Sequence, residues 1–209
     1  MKLLLVGATG LVGRHVLTLA LADPRVEEVV APTRRELTTH PKLFSPQVDF
    51  DRLPQHADWW QADAVICALG TTMRTAGSKE AFRRVDCDYP LTVARLARAH
   101  GTPTYVLNSA IGADASSRLF YNRVKGELEQ ALTGQGFDSL TFVRPGVISG
   151  HRDEFRLGER MLVMGLTLTG PLLPKRWRLN PAAQIAGALL EAAIRAKAGV
   201  HVVSSDQMI

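Results

Sequence analysis

The sequence predicts an α/β fold in which a doubly wound parallel sheet carries helices on both faces. Short apolar runs alternate with longer amphipathic stretches through the first two thirds of the chain, and this alternation is typical of βαβ units. The apolar runs are nearly continuous, as expected for strands that are covered on both faces. A glycine-rich turn joins the first predicted strand to the first predicted helix. These three observations together predict the fold class.

The predicted elements follow the chain in regular order. Strands are predicted at residues 3–6, 26–31, 64–69, 104–108, 140–143 and 200–203, with a weaker one at 47–50. Helices are predicted at residues 10–22, 79–100, 117–135 and 181–198. After Gly146 a charged, an apolar and a basic stretch follow one another without a linker or a repeat. The 209 residues therefore predict a single domain over 1–209, with residues 151–180 as a small C-terminal cap on the substrate side.

Charge balance and apolar runs exclude several classes of protein. The chain carries 25 Lys and Arg against 20 Asp and Glu, a net charge of +5, but its arginines are scattered and form no dense basic stripe for a nucleic acid. No apolar run reaches the length of about 18 residues that a membrane span needs, and the first one is too short for a signal peptide. Two cysteines cannot build a disulfide framework or a zinc site. We therefore expect a cytoplasmic protein that binds no nucleic acid and no metal.

A glycine turn of the pattern Gly-x-x-Gly-x-x-Gly lies between the first predicted strand and helix, with glycines at Gly7, Gly10 and Gly13. In this setting the first glycine permits the tight turn, the second lets backbone amides approach a pyrophosphate, and the third lets helix and strand pack closely. The phosphate charge then meets the N-terminus of the helix. A tight turn without a ligand is the less favoured alternative. The spacing resembles that of short-chain dehydrogenases and predicts a dinucleotide-binding Rossmann fold.

The end of the second predicted strand indicates which dinucleotide is bound. An acidic residue about 20 positions after the glycine turn would hydrogen-bond the adenosine ribose of NAD, whereas an arginine accommodates the 2′-phosphate of NADP. The chain has Arg34 and Arg35 there, and no acidic residue at the strand end. We therefore expect NADP(H) to be preferred over NAD(H), with Arg34 on the phosphate. Arg35 is either a second phosphate ligand or a solvated side chain.

Tyr121 and Lys125 stand four residues apart in a predicted helix, so they share one face. A nearby cation favours the tyrosinate and lowers the pKa of a tyrosine, which lets the phenol act as acid or base nearer neutral pH. Such a pair alone is common and is often only a surface tyrosine beside a solvated lysine. Here Ser109 stands at the end of the preceding strand, and the glycine turn lies upstream. Ser109, Tyr121 and Lys125 thus match the short-chain dehydrogenase triad in order and spacing.

Longer stretches of the chain form a wider pattern around the triad, at residues 70–77, Phe82, 85–89, 109–117, 121, 124–127 and 144–147. In these stretches the chain resembles the Tat-interacting-protein oxidoreductase family of atypical short-chain dehydrogenases. This resemblance runs from residue 3 to about residue 150 and is loose beyond that point. The resemblance implies an NADPH-binding Rossmann fold in which Ser109 bonds the substrate carbonyl, Tyr121 transfers a proton and Lys125 holds the nicotinamide ribose.

The same resemblance implies a set of cofactor contacts. The pyrophosphate would be held by Gly7, Thr9, Gly10, Leu11, Val12 and Gly13, and the 2′-phosphate by Arg34. Asp49 and Phe50 would flank the adenine. Leu69, Gly70 and Thr71 would line the ribose side, and Pro145 and Val147 would meet the nicotinamide.

Three functions fit these motifs. The favoured one is an NADPH-dependent oxidoreductase that acts on a small carbonyl or alcohol substrate, because the triad is intact. The second is a protein that senses NADP(H) without turnover, although relatives of that kind typically lack the tyrosine or the lysine. The third is a reductase held at a membrane surface by the apolar residues 161–173 and the basic residues 175–178, a stretch that we interpret instead as a substrate lid. The sequence leaves open the substrate and the choice between monomer and homodimer.

Overall fold

The computed structural model describes residues 1–149 and 179–208. The strands in these ranges are β1 (Lys2–Val6), β2 (Glu28–Val30), β3 (Leu43–Phe44), β4 (Ala64–Cys67), β5 (Thr104–Asn108), β6 (Ser139–Arg144), β7 (Ile148–Ser149), β8 (Asn180–Pro181) and β9 (Gly199–Ser204). Seven of them form one sheet in the order β3-β2-β1-β4-β5-β6-β9, and β7 pairs with β8 separately. Every pairing in the large sheet is parallel.

Six α-helices connect the strands within the described ranges. They are α1 (Leu11–Ala22), α2 (Met73–Ala76), α3 (Lys79–Arg83), α4 (Tyr89–Ala99), α5 (Phe120–Thr133) and α6 (Ala182–Arg195). A π-helix, Arg84–Asp88, continues α3 directly into α4. The single helix predicted over residues 79–100 therefore has the right place in the chain, but one of its turns is wider than an α-helical turn. No helix in the described ranges combines the length and the apolar character needed to cross a membrane.

Side-chain caps explain where two of the helices begin. Thr72 and Ser78 cap α2 and α3, because their hydroxyl oxygens accept hydrogen bonds from the amides of Thr75 and Ala81 at 3.1 and 3.0 Å. Gly10, in contrast, starts α1 without a side-chain cap. The first amides of α1 are therefore left to other acceptors.

Alternate side chains of β1 enter two different apolar cores. Leu3 and Leu5 pack with α1 and α6 on one face of the sheet, whereas Leu4 and Val6 pack with α4 and α5 on the other. All four side chains are fully buried. Strands that are apolar at every position thus fit between two layers of helices. The predicted doubly wound sheet is confirmed.

The parallel strands bring the loops that follow them to one edge of the sheet. Val6 of β1 pairs with Cys67 of β4, which pairs with Leu107 of β5, and Asn108 pairs with Val143 of β6. The strand order reverses direction at β1, and open α/β sheets bind ligands outside the carboxyl ends of the strands at such a point. The loops after β1, β4, β5 and β6 therefore surround the candidate site.

The strand predicted at residues 47–50 is wrong. The neighbour of β2 is β3, which lies earlier in the chain, and residues 47–50 contribute only an isolated bridge from Gln47 to Thr33. Val48 and Phe50 pack against the core from a loop, and their spacing imitates the alternation of a strand. The cap predicted at residues 151–180, with the apolar and basic stretch inside it, lies outside the described residues except for its last two positions.

Candidate active site

The glycine turn after β1 is so tight that two of its glycines have no room for a side chain. Gly7 has a φ of +89°, and a Cβ there would lie 2.6 Å from the carbonyl carbon of Ala68. A Cβ on Gly13 would lie 2.0 Å from the carbonyl oxygen of Gly7. Both positions require glycine, because the turn packs against the loop after β4 and helix α1 packs against the turn.

Gly10 has different surroundings from the other two glycines. Its φ of −76° suits any residue, and the nearest atom to a Cβ there would be the Gly7 oxygen at 3.3 Å. Thr9 and Gly10 are exposed, and they precede the amides of Leu11 and Val12, which have no acceptor within the helix. A small exposed residue at this position lets an anion reach those amides. The turn therefore fits the pyrophosphate of a dinucleotide.

Arg34 and Arg35 lie on the surface beyond the end of β2. The backbone that carries them is anchored by Thr33, which is buried and whose hydroxyl donates to the carbonyl of Arg35. The amide of Thr33 also donates to the carbonyl of Pro46 at 3.1 Å. Both guanidinium groups thus start from a fixed backbone at the carboxyl end of a strand. Their contact with a 2′-phosphate stays a prediction.

Tyr121 and Lys125 lie one turn apart on α5 but differ in exposure. Tyr121 is 41% exposed, and its ring packs beside the ring of Phe82 with the centroids 5.8 Å apart. Lys125 is buried, with 3% of its surface exposed. The phenol is therefore accessible from outside, while the ammonium group lies inside the protein.

The partner of Lys125 is Asp86 in the π-helix. Nζ of Lys125 lies 2.8 Å from Oδ1 of Asp86, and the Asp86 side chain is 1% exposed. Burial by itself would lower the pKa of Lys125, but the Asp86 carboxylate and the Tyr121 oxygen outweigh burial and raise that pKa above its ordinary value. Lys125 is therefore a buried ammonium at neutral pH.

Ser109 has a different partner, Glu129. The Ser109 hydroxyl donates to Oε1 of Glu129 at 2.5 Å, and Arg144 at the end of β6 donates to both oxygens of the same carboxylate. Ser109 and Glu129 are both buried, and Glu129 lies one turn beyond Lys125 on α5. The structure thus joins Ser109 to a buried network. To donate to a substrate carbonyl, its hydroxyl would have to turn away from Glu129.

The predicted ribose-side residues lie on the loop after β4, next to Asp86. The amide of Thr71 donates to Oδ2 of Asp86 at 2.8 Å, and a Cβ on Gly70 would lie 3.4 Å from Oδ1 of the same carboxylate. Leu69 precedes them and packs partly buried against the α4 and α5 core. The loop and Lys125 therefore share Asp86 as a partner, although the contact of Leu69, Gly70 and Thr71 with ribose stays a prediction.

The predicted nicotinamide residues follow β6. Pro145 is buried, and its carbonyl accepts a hydrogen bond from the amide of Ile111 at 2.8 Å. Val147 is 39% exposed. The loops after β5 and β6 are therefore joined, with an apolar side chain left on the outside.

The predicted adenine residues lie farther along the edge. Phe50 is buried against the ring of Tyr89, with centroids 5.6 Å apart, and it lines an open cavity of about 410 Å³ beside α4. Asp49 is exposed and accepts a hydrogen bond from the amide of Asp51 at 2.9 Å. The structure does not bring these residues into contact with Tyr121 or Lys125, and their role toward adenine stays a prediction.

Two residues of the site, Asp86 and Glu129, were not found by the sequence motifs. Each has a signal in the sequence. Glu129 continues the one-turn spacing of Tyr121 and Lys125 on the same helix, and Asp86 stands one turn after Phe82 in an otherwise apolar helical stripe. A carboxylate on a buried stripe indicates a cation partner, because an unpaired buried charge is unfavourable.

Comparisons with known sequences identify the family of the chain. A sequence model of the NAD dependent epimerase/dehydratase family matches residues 3–123. The chain is 34% identical to Protein FMP52, mitochondrial, of Coccidioides immitis over 215 residues, which cover 94% of this chain and 87% of that protein. It is 39% identical to Protein HTATIP2 of Rattus norvegicus over 160 residues, which cover 74% of this chain and 66% of that protein.

Solved structures show the same fold. MoeE5 in complex with UDP-glucose and NAD has a TM-score of 0.74 and 16% identity, with 100% of this chain and 80% of that chain covered. The oxidoreductase ylbE from Lactococcus lactis has a TM-score of 0.69 and 16% identity, with 96% of this chain and 89% of that chain covered. The predicted Rossmann fold is confirmed.

The relatives also correct the expected location. Fungal relatives of this chain, those of Coccidioides immitis, Aspergillus niger and Candida albicans among them, are named mitochondrial. The cytoplasmic location expected from the short first apolar run is therefore wrong, since that run bears on secretion and not on mitochondria. The resemblance to the Tat-interacting-protein family is confirmed: the chain belongs to the NAD dependent epimerase/dehydratase family, as a relative of the FMP52 and HTATIP2 proteins.

Proposed function

We propose that this protein is an NADPH-dependent oxidoreductase that interconverts a small carbonyl compound and the corresponding alcohol. The observation that carries the proposal is the pairing of an exposed phenol, Tyr121, with a buried ammonium, Lys125, one helical turn away. Both lie on the helix that follows β5, at the edge where the glycine turn can receive a pyrophosphate. The epimerase/dehydratase family of the chain supports dinucleotide chemistry in general.

The roles of the side chains follow from their exposure and charge. Tyr121 gives a proton to the substrate oxygen in reduction and takes it back in oxidation, because its side chain is exposed and a phenol can serve as acid or base. Lys125 stabilises the tyrosinate that remains, since its ammonium is buried and charged. When bound, NADPH supplies the hydride that reduces the carbonyl carbon.

The choice of NADPH rests on the end of β2. Two exposed arginines, Arg34 and Arg35, occupy the place where an acidic residue would bond the ribose of NAD. A guanidinium group matches a phosphate with two parallel hydrogen bonds. Glycines Gly7, Gly10 and Gly13 with the first amides of α1 would hold the pyrophosphate.

The position of Ser109 favours a second candidate function, a sensor of NADP(H) without turnover. Its hydroxyl is buried and donates to Glu129, so a substrate carbonyl would lack this donor unless Ser109 turns. In an oxidoreductase Ser109→Ala should slow turnover about 10²-fold or more, as for the loss of one donor to a reacting oxygen. In a sensor the same change should leave NADPH affinity as it is and affect only stability.

The test is NADPH oxidation in a single turnover, measured over a panel of aldehydes, ketones and quinones. Tyr121→Phe should be slower than wild type by about 10²–10⁴-fold, the usual contribution of a positioned general acid, with NADPH affinity nearly unchanged. Tyr105→Phe is the matched control, because it removes a buried hydroxyl that bonds the Pro90 carbonyl and is none of the predicted cofactor contacts. Equal rates in wild type and Tyr121→Phe would refute the role of Tyr121. Oxidation with no member of the panel would favour the sensor.

A further inference from the structure

Asp86 is a buried carboxylate that holds two partners at once. Its Oδ1 lies 2.8 Å from Nζ of Lys125, and its Oδ2 accepts a hydrogen bond from the amide of Thr71 at 2.8 Å. Replacement of a buried ion pair by apolar side chains is often neutral for stability or even favourable. An ion pair this deeply buried, at the edge of the sheet where ligands bind, therefore points to a role beyond stability.

The backbone around Asp86 is unusual as well. Arg84–Asp88 form a π-helix, a rare form that is frequent at functional sites. On α3, just before this segment, the ring of Phe82 packs beside the ring of Tyr121, and within the segment the carboxylate of Asp86 meets Lys125. α3 and the π-helix together thus contact α5 at the two residues that are proposed to carry the chemistry.

We propose that Asp86 is a positioning residue that keeps the Lys125 ammonium charged and fixes it between Tyr121 and the loop at Thr71, a role that rests on the proposed function. A fixed positive charge stabilises Tyr121 whenever the phenol has given up its proton. The hydrogen bond to Thr71 ties the same carboxylate to the loop predicted to meet the ribose. Among the described residues Asp86 is the carboxylate paired with this ammonium, so its removal would leave Lys125 buried without that partner.

The ionisable groups that face Lys125 come from three elements of the described chain. They are Asp86 on the π-helix, Tyr121 on α5 and the Cys67 thiol at the end of β4. Burial raises the pKa of Cys67, so this thiol is uncharged at neutral pH. Arg83, three residues before Asp86, pairs with Glu127 on the outside of the helices. Within the described residues, Asp86 is therefore the anion that balances Lys125.

Removal of the Asp86 charge has a defined direction of effect. Burial lowers the pKa of Lys125 and Asp86 raises it, so burial loses its main opposing effect when the carboxylate is gone. Asp86→Asn keeps the size of the side chain and should lower the pH at which Lys125 loses its proton by about one unit or more, since an adjacent opposite charge shifts an ionisation by about 1–3 units. Asp86→Ser is a second variant for the case that the asparagine amide does not fit in the folded protein. Its side chain is smaller and uncharged, so it should also lower the pH at which Lys125 loses its proton.

The experiment follows the side-chain NMR signal of Lys125 as pH is raised, in cofactor-free protein that contains isotope-labelled lysine. The signal is assigned by its loss in Lys125→Met. Asp88→Asn is the matched control, because it removes an exposed carboxylate from the same π-helix. Wild type and Asp88→Asn should keep a charged Lys125 to higher pH than the folded Asp86 variants. The proposal is wrong if Lys125 loses its proton at the same pH in the Asp86 variants as in wild type. It is also wrong if Asp88→Asn lowers that pH by the same amount as the Asp86 variants do.

This readout is independent of turnover. A failed search for substrates would contradict the proposed function and leave the Lys125 titration unchanged. An unshifted titration would overturn the role of Asp86 even in an active enzyme. In an active enzyme, Asp86→Asn should lose rate over the pH range in which Lys125 loses its proton. A purely structural role would lower the stability without changing that pH profile.

Discussion

Ser109 and Glu129 form a buried hydrogen bond of 2.5 Å between the end of β5 and the middle of α5. Arg144 at the end of β6 pairs with the same carboxylate, so three elements meet at Glu129. Tyr121, Lys125 and Glu129 follow one another at intervals of one helical turn. The bond therefore fixes the rotation of α5 and, with it, the place of Tyr121 at the edge of the sheet.

Glu129→Gln should lower the free energy of unfolding by about 2 kcal/mol, because hydrogen bonds to charged groups contribute about 1.5–3 kcal/mol. The Arg144 side chain is one third exposed, so water can replace part of the hydrogen bonding that it loses in the variant. Urea unfolding measures the change. The control is Glu127→Gln, which removes a more exposed carboxylate from the same helix. Equal decreases in the free energy of unfolding in the two variants would contradict a larger contribution of the Glu129 network to stability.

Arg34→Ala should reduce the preference for NADPH over NADH at least about tenfold, because a charged hydrogen bond to phosphate contributes about 1.5–3 kcal/mol. Calorimetric titration of both cofactors into wild type and variant measures the preference. Arg35→Ala is the matched comparison and shows whether the second guanidinium also contacts the phosphate. Equal affinities of wild type for NADPH and NADH would contradict the predicted cofactor choice.

Substitutions in the glycine turn should separate binding from folding. Gly10→Val should abolish dinucleotide binding and change the Tm of the cofactor-free protein by only a few degrees, because Gly10 is exposed and its backbone suits any residue. Gly13→Ala should lower the Tm strongly, since its Cβ would lie 2.0 Å from the Gly7 oxygen. Thermal unfolding with and without NADPH measures both effects. Normal NADPH binding by Gly10→Val would place the pyrophosphate elsewhere.

Ion pairs connect the end of α1 to α6, and because of them the free energy of unfolding should decrease as the pH becomes acidic. Arg25 bonds both Asp23 and Glu191, and the hydrogen bonds from Arg25 lower the pKa of Asp23 to about 2. A lowered pKa stabilises the fold above the ordinary value of about 4, and this contribution is lost as the pH falls to about 2.

Asp23→Asn should therefore be less stable than wild type at pH 6 and equally stable near pH 2. Unfolding midpoints over this range measure the difference. Asp138→Asn is the control, because its carboxylate is 71% exposed and lies 3.7 Å from Arg98. A difference between Asp23→Asn and wild type that persists unchanged to pH 2 would contradict the lowered pKa.

The fold was predictable wherever a local pattern decides the structure. The continuous apolar run of β1 and the glycine turn after it identify a buried parallel strand and the helix that follows. The spacing of Tyr121 and Lys125 likewise places them on one helical face. The strand prediction at residues 47–50 failed because Val48 and Phe50 pack against the core from a loop. A loop can show the same alternation of apolar and polar residues as a strand.

A local sequence pattern could not predict which residues pair with one another inside the site. Asp86 meets Lys125 from another helical segment, and Ser109 meets Glu129 across the gap between sheet and helix. Helical spacing can place Asp86 and Glu129 on buried faces and so indicate that each has a partner, but it does not identify the partner, because the paired residues lie far apart in the chain. The wider turn at Arg84–Asp88 also has no periodic signal, because it continues two ordinary helices without a break.

The most direct test of the proposed function is hydride transfer itself. NADPH that carries deuterium at its transferable position is incubated with the protein and a carbonyl substrate from the panel, and the alcohol product is analysed by mass spectrometry. We expect wild type to give product with one deuterium per molecule, and Tyr121→Phe to form it about 10²–10⁴-fold more slowly. Tight binding of NADPH with no deuterium in any product would contradict the oxidoreductase and leave the sensor in its place.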